Sequence, residues 1–197
     1  MHSKSTKDNQ FKQAFSLIPG LLPGDHSTEL FGDRETRKVY GVSDGKTIPF
    51  YNIPPTLKAQ IFEKMLSDKI AMQDLEHLQH DEALEEYAFC IYGDADGVAD
   101  FTENGTNNSS ENFTCGENCK CLKWNSKQIS INGNNLTPRE VQVTKQLASD
   151  KPDKAIADEL KISTHTLTQH KRSLYEKAGV QSRSGLLEKG YQQRVIH

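Results

Sequence analysis

No stretch of this 197-residue chain approaches the roughly 20 consecutive apolar residues that a bilayer-spanning helix needs, so no membrane span is expected. The first ten residues, Met1 to Gln10, hold no apolar core of the secretory kind. Together these two absences lead to the expectation of a cytoplasmic protein. Apolar residues are scarce throughout, at 35%, with aromatics at 8% and a mean hydropathy of −0.71. A thin core with a broad polar surface follows, in one medium domain or two small ones. Cysteine is missing everywhere except between Cys90 and Cys121.

What is present is concentrated at the carboxyl end, from Leu136 to Tyr191. Thr137, Pro138 and Glu140 spell a helix start, with an N-cap hydroxyl, a proline in the first turn and a glutamate that closes a capping box. Val141, Thr144, Leu147 and Ala148 then share one helical face. Pro152 and Asp153 punctuate, Asp153 being read as the cap of a second helix that holds Ile156, Ala157 and Leu160. After a short turn at Lys161 and Ile162, Ser163 caps a third helix, expected over 164–178. Leu167 and Leu174 face inward there, with His170 between them. The opposite side carries Thr164, His165, Thr168, Gln169, Lys171 and Arg172, and no carboxylate before Glu176. Such a face suits base edges and phosphates. Gly179 stops the helix, and Ser182 caps a fourth that carries Leu186 and Leu187. Four short helices with a tight turn between the second and third describe a helix-turn-helix unit.

The strings Leu-Thr-Pro-Arg-Glu at 136–140, Asp-Lys-Ala-Ile-Ala at 153–157, Leu-x-Ile-Ser at 160–163, His-Thr-Leu-x-x-His at 165–170 and Lys-Ala-Gly-Val-x-Ser-Arg at 177–183 run in order. This segment resembles the LuxR-type (GerE-like) DNA-binding domain of bacterial transcription regulators. The resemblance implies that the third helix enters the major groove and that the fourth forms a dimer contact. Carried over by position, Thr168, Gln169 and Arg172 are the groove-facing readers, with Thr166, Lys171 and Lys154 near phosphates. Asp150, Ala155 and Thr168 depart from the family's usual Gly, Glu and Lys, and the last of these alters which operator is read. A receiver domain often precedes this unit in the family. The strand–helix alternation that a receiver requires is not found before residue 135.

Charge is divided along the chain. Residues 136–197 hold 11 Lys and Arg against 7 Asp and Glu, whereas residues 1–135 hold 13 against 20. The basic portion is the one expected to meet phosphate.

The region before it reads less clearly. Residues 1–10 are expected to form a loose arm, followed by a short amphipathic helix through Phe11, Phe15 and Ile18. From Leu21 to Pro55 the apolar residues stand in short groups that fit loops or small strands. Leu57, Ile61, Met65 and Ile70 mark one helical face, and Leu75, Leu78, Leu84 and Phe89 a following helix or pair. The carboxylates from Asp74 to Glu86 and the histidines His77 and His80 read as a solvated face. Cys90, between Phe89 and Ile91, reads as a buried strand residue. Cys115, Cys119 and Cys121 form C-x3-C-x-C, and with Cys90 they leave three accounts open. These are a zinc or iron–sulfur site offset by Lys120 and Lys123, free thiols, or a disulfide. The C-x-C spacing is hard to place on one metal without strain. Asp94, Asp96 and Asp100 do not fall on a calcium-loop register, and 102–112 reads as a flexible polar loop. Trp124, Ile129 and Ile131 suggest a short strand, with Asn132 to Asn135 a turn.

The expected fold is mainly α, a four-helix helix-turn-helix domain preceded by a mixed, helix-containing N-terminal region. Three segments are expected, with a regulatory or dimerisation region at 1–88, a cysteine-containing loop and linker at 89–135, and the DNA-binding domain at 136–197. The expected function is that of a non-enzymatic transcription regulator binding double-stranded DNA as a homodimer, with RNA polymerase a further candidate partner. Two alternatives remain open, a metal- or redox-responsive regulator using the four cysteines, and a protein-interaction adaptor built on the same four helices.

Overall fold

The computed structural model describes residues 17–108, 110–116 and 119–196, so the arm and the helix expected at Phe11 and Phe15 lie outside the described residues. The N-terminal half opens with a three-stranded antiparallel sheet of β1 (Glu29–Gly32), β2 (Val39–Ser43) and β3 (Lys46–Pro49), in that order. Asp44 and Gly45 join β2 to β3 with φ of 52° and 70°, the two positive values that a tight twist-matched hairpin requires. Three helices follow: α1 (Pro55–Ser67), α2 (Lys69–Leu75) and α3 (His80–Tyr92).

Leu57, Ile61 and Met65 line the buried side of α1 as their spacing predicts. Ile70 does not continue that face. Asp68 interrupts the helix, capping α2 through the amides of Ile70 and Ala71, while its other oxygen accepts from the Ser126 amide and hydroxyl at 2.7 Å each. This break turns Ile70 outward and puts Ala71 and Leu75 in the core. Cys90 lies in the last turn of α3, not on a strand, and α3 runs uninterrupted across residues 88–89. Its C-terminal end is buried all round, with Tyr87, Phe89, Ile91 and Tyr92 each at 0% exposure.

The segment after α3 has little regular structure but packs into the same core. Phe113 meets Phe89 edge-on at 5.5 Å and Trp124 stacks on Tyr87 at 5.5 Å. Trp124 therefore closes the N-terminal core instead of joining a strand. The polar stretch 102–112 is also held more closely than its composition suggests. Phe101 exchanges backbone hydrogen bonds with Thr28, Lys64 donates to Asn107 and Asn108, and the Asn112 amide pairs with the backbone of Ser130. Partners far away in sequence impose this order, which no local pattern announces.

The C-terminal half begins with a two-residue hairpin, β4 (Ser130–Ile131) and β5 (Asn134–Asn135), turned by Asn132 and Gly133 at φ of 52° and 76°. Four helices follow: α4 (Pro138–Leu147), α5 (Asp153–Glu159), α6 (Thr164–Ala178) and α7 (Arg183–Gln192). Thr137 and Glu140 form the capping box of α4, Ser163 and Ser182 cap α6 and α7, and Gly179 ends α6 in the left-handed region at φ 67°. Asp153 is not the cap of α5. Pro152 occupies that position and Asp153 is the first helical residue. Val141, Val143, Leu147, Ile156, Leu167, Leu174 and Leu186 build a second core distinct from the first. Among the described residues no helix is long and apolar enough to cross a membrane.

Candidate nucleic-acid interface

Helix α6 is set by the core on one side and a polar brace on the other. Leu167, Leu174 and Ala178 are buried against α4, α5 and α7. Glu140 of α4 is 4% exposed and accepts from the Ser173 hydroxyl and the Lys177 ammonium of α6 at 2.7 Å each. Burial opposes the charge of Glu140, but these donors together with the Thr137 amide and hydroxyl hold its pKa at about 2. The turn between α5 and α6 is shaped by Lys161 at φ 54° and by the Ile162 amide donating to Ala157 at 2.9 Å. Arg139 of α4 donates to the Leu160 carbonyl in the same turn. Arg183 of α7 donates to the carbonyls of Leu147, Ser149 and Lys151, fastening the end of α4.

Among the described residues, none packs over the opposite face of α6. Thr164, His165, Thr168, Gln169, Arg172 and Glu176 are all exposed, at spacings that put them on one side of the helix. Arg172 pairs with Glu176 one turn on at 3.0 Å, both more than two-thirds exposed, a contact too weak and too wet to hold the guanidinium. Thr168 donates its hydroxyl proton to the Thr164 carbonyl at 2.9 Å, leaving lone pairs and a methyl group outward. Thr166 is half-buried, its hydroxyl 2.8 Å from that of Ser163 at the helix start. Lys171 is turned aside to Asp153 at 2.7 Å and is only 21% exposed. Lys154 is exposed on α5. Thus Thr168, Gln169 and Arg172 lie together on one face, while Thr166, Lys171 and Lys154 lie around the α5–α6 edge.

The N-terminal half touches this unit elsewhere. Asn112 donates to the Gln193 carbonyl at 2.8 Å, Arg194 pairs with Asp94 at 2.8 Å, and Lys145 of α4 reaches the Gly116 carbonyl at 3.4 Å. These contacts involve α4 and the end of α7, and among the described residues they leave the outer face of α6 open. The braces Arg139 and Arg183 were not singled out from sequence, although both stand inside the quoted strings. Their role depends on carbonyls at turns whose positions only the fold supplies.

Two further clusters of reactive groups lie in the N-terminal half. Cys90, Cys115, Cys119 and Cys121 bring their sulfurs within 4.8 Å of one another. Cys119 and Cys121 are joined as a disulfide, and Cys90 and Cys115 are free thiols. A hydrogen bond from Cys90, opposed by burial and assisted by Arg37, lowers Cys115 to about 6, and Cys90 is pushed up. The cations at this cluster are Arg37, the buried Lys127 and Lys120, which lines the same cavity as the four cysteines, whereas Lys123 is exposed. His77 and His80 are exposed as expected. The second cluster is Glu29, Asp100 and Glu111, all buried, with oxygens within 4.8 Å of one another. Burial raises Glu29 to about 8 and Glu111 to about 11.

No curated protein and no solved structure matches the chain. The family model described as "Bacterial regulatory proteins, luxR family" matches residues 134–188. That segment spans the hairpin strand β5, helices α4 to α6 and most of α7, and it is the LuxR-type helix-turn-helix part of this chain.

Proposed function

We propose that this chain is a transcription regulator that reads duplex DNA by laying α6 in the major groove, and that it acts as a dimer on two half-sites. The observation that carries the reading is the exposed row of Thr168, Gln169 and Arg172 on a helix braced from behind. Gln169 has the paired donor and acceptor that match adenine, Arg172 the fork that matches guanine, and Thr168 a methyl group for thymine. In this reading the exposed Lys154 and the start of α6 meet the phosphates that flank the groove. Lys171 reaches phosphate by exchanging Asp153 for a stronger anion, a swap of one charge-assisted bond for another. In this reading the face of α7 that carries Tyr191, 53% exposed, meets a second copy. Two half-sites about 34 Å apart then match the two-fold axis of the dimer. No catalysed step is part of this reading.

In vitro selection from random duplexes with the full-length protein tests it. An enriched inverted repeat with one helical turn, or a multiple of it, between half-site centres is the expected result. Enrichment of no sequence at low salt would turn the reading towards a protein-binding module built on the same helices.

A further inference from the structure

Four sulfurs meet where the chain passes from one core to the other. Cys90 comes from the last turn of α3, Cys115 from the loop after it, and Cys119 and Cys121 from the start of a short 3-10 turn at Lys120–Lys123. The Sγ atoms of Cys90 and Cys115 are 3.8 Å apart, and those of Cys115 and Cys121 are 3.6 Å apart. A zinc ion held by four thiolates at about 2.3 Å sets neighbouring sulfurs about 3.8 Å apart. A polynuclear iron–sulfur cluster inserts its own sulfides and spreads the ligating thiolates farther than this set allows. The 3-10 turn bends the chain so that both members of the C-x-C pair face the same point, which removes the objection raised by their spacing. We propose that the reduced chain binds one zinc ion through Cys90, Cys115, Cys119 and Cys121, and that this ion fastens the cysteine loop to α3 at the junction of the two halves.

The surroundings fit a tetrathiolate site. Four thiolates around a divalent ion leave two negative charges. The Arg37 guanidinium stands 3.9 Å from the Cys90 sulfur, and the buried Lys127 donates to the Cys90 carbonyl, so two cations flank the site. Glu86 orients Arg37 through a two-pronged ion pair, an outer shell of the kind that positions metal-site neighbours. Cys121 belongs to the N-terminal core and the next residue, Leu122, to the C-terminal one, while Cys119 packs on both. An ion here therefore fixes where one unit is joined to the other. Loading starts from the reduced state. A dithiol reductant supplies two electrons and two protons to the Cys119–Cys121 bond and leaves as its own disulfide. Zinc then binds four sulfurs as thiolates, and the protons still carried by the thiols leave to solvent.

Zinc binding is independent of the DNA-reading proposal and is tested without DNA. Full-length protein is reduced, stripped with chelator, and titrated with Co²⁺ and then Zn²⁺ under anaerobic conditions. The expected result is one ion per chain, with the visible absorption of a tetrahedral cobalt–thiolate centre that zinc abolishes. Cys115→Ser, at a half-buried position, should weaken binding roughly tenfold or more. The wild-type titration decides the matter even if that variant folds poorly. Failure of the reduced wild type to take up either metal would overturn the proposal. So would undiminished binding by a folded Cys115→Ser variant, or native protein carrying iron with acid-labile sulfide.

Discussion

Glu140 and Lys177 meet at 2.7 Å between α4 and α6, the carboxylate side chain 5% exposed. The same carboxylate closes the capping box at the start of α4 and takes the Ser173 hydroxyl. One acidic side chain thus joins a helix start to the back of the exposed α6. Its pKa is held at about 2 against an ordinary 4.5. A depressed carboxylate adds stability that is present above the unfolded value and is lost as pH falls through the folded one. About 3 kcal/mol should therefore disappear between about pH 5 and 2. Urea melts across that range check this, and Glu140→Gln should flatten the dependence while lowering stability at neutral pH.

Arg183 presents three donors to the carbonyls of Leu147, Ser149 and Lys151. Replacing it with methionine keeps most of the bulk and leaves those carbonyls without their charged donor. A loss of about 2–4 kcal/mol in denaturant midpoint analysis is expected, with Arg183→Lys intermediate because an ammonium lacks the planar fork.

Glu29 behaves in the opposite sense to Glu140. Burial, more than the repulsion from Asp96 and Asp94, raises it from 4.5 to about 8. Between those values the folded state must keep a proton that the unfolded chain has given up, so this group's contribution falls as pH rises from about 5 to 8. Glu29→Gln should remove that slope and raise stability at pH 8. Fluorescence of Trp124, the one tryptophan in the chain, stacked on Tyr87 in the same half, reports the transition.

Arg172 is exposed and, among the described residues, pairs with Glu176 across solvent, so Arg172→Ala should leave the melting temperature unchanged. Its effect should appear on the selected operator, as a loss of about 1–3 kcal/mol if the guanidinium reads a base. If it meets phosphate, the salt slope should fall by about one. Lys154→Ala should lower the slope without altering sequence preference. Quantitative shift assays over a salt series separate the two residues, and an unchanged complex in both variants would remove α6 from the interface.

The C-terminal unit was legible because its signals are local. One capping box, serine caps, a proline in a first turn, a glycine after a last turn and leucines at helical spacing each act within a few residues, and their order places four helices close to where they lie. Asp153 shows the limit of such reading. A good cap by type, it sits one position inside α5 and pairs with Lys171 18 residues on. The N-terminal half was less legible for the same reason at greater length. Asp68 reaches Ser126, Glu29 reaches Asp96, and Cys90 sits in a helix because α3 continues into the core.

Sequence alone determined which stretch is the helix-turn-helix unit and which of its faces is polar, since helix periodicity and caps are properties of neighbours in the chain. Tertiary structure decided what no neighbour could. It left the polar residues on the outer face of α6 exposed among the described residues, buried three carboxylates together, and gathered sulfurs from Cys90 to Cys121 at a single point. The physical reason is that hydrogen bonds and burial act over a few ångströms in space, and only the folded chain brings groups so far apart in sequence within that range.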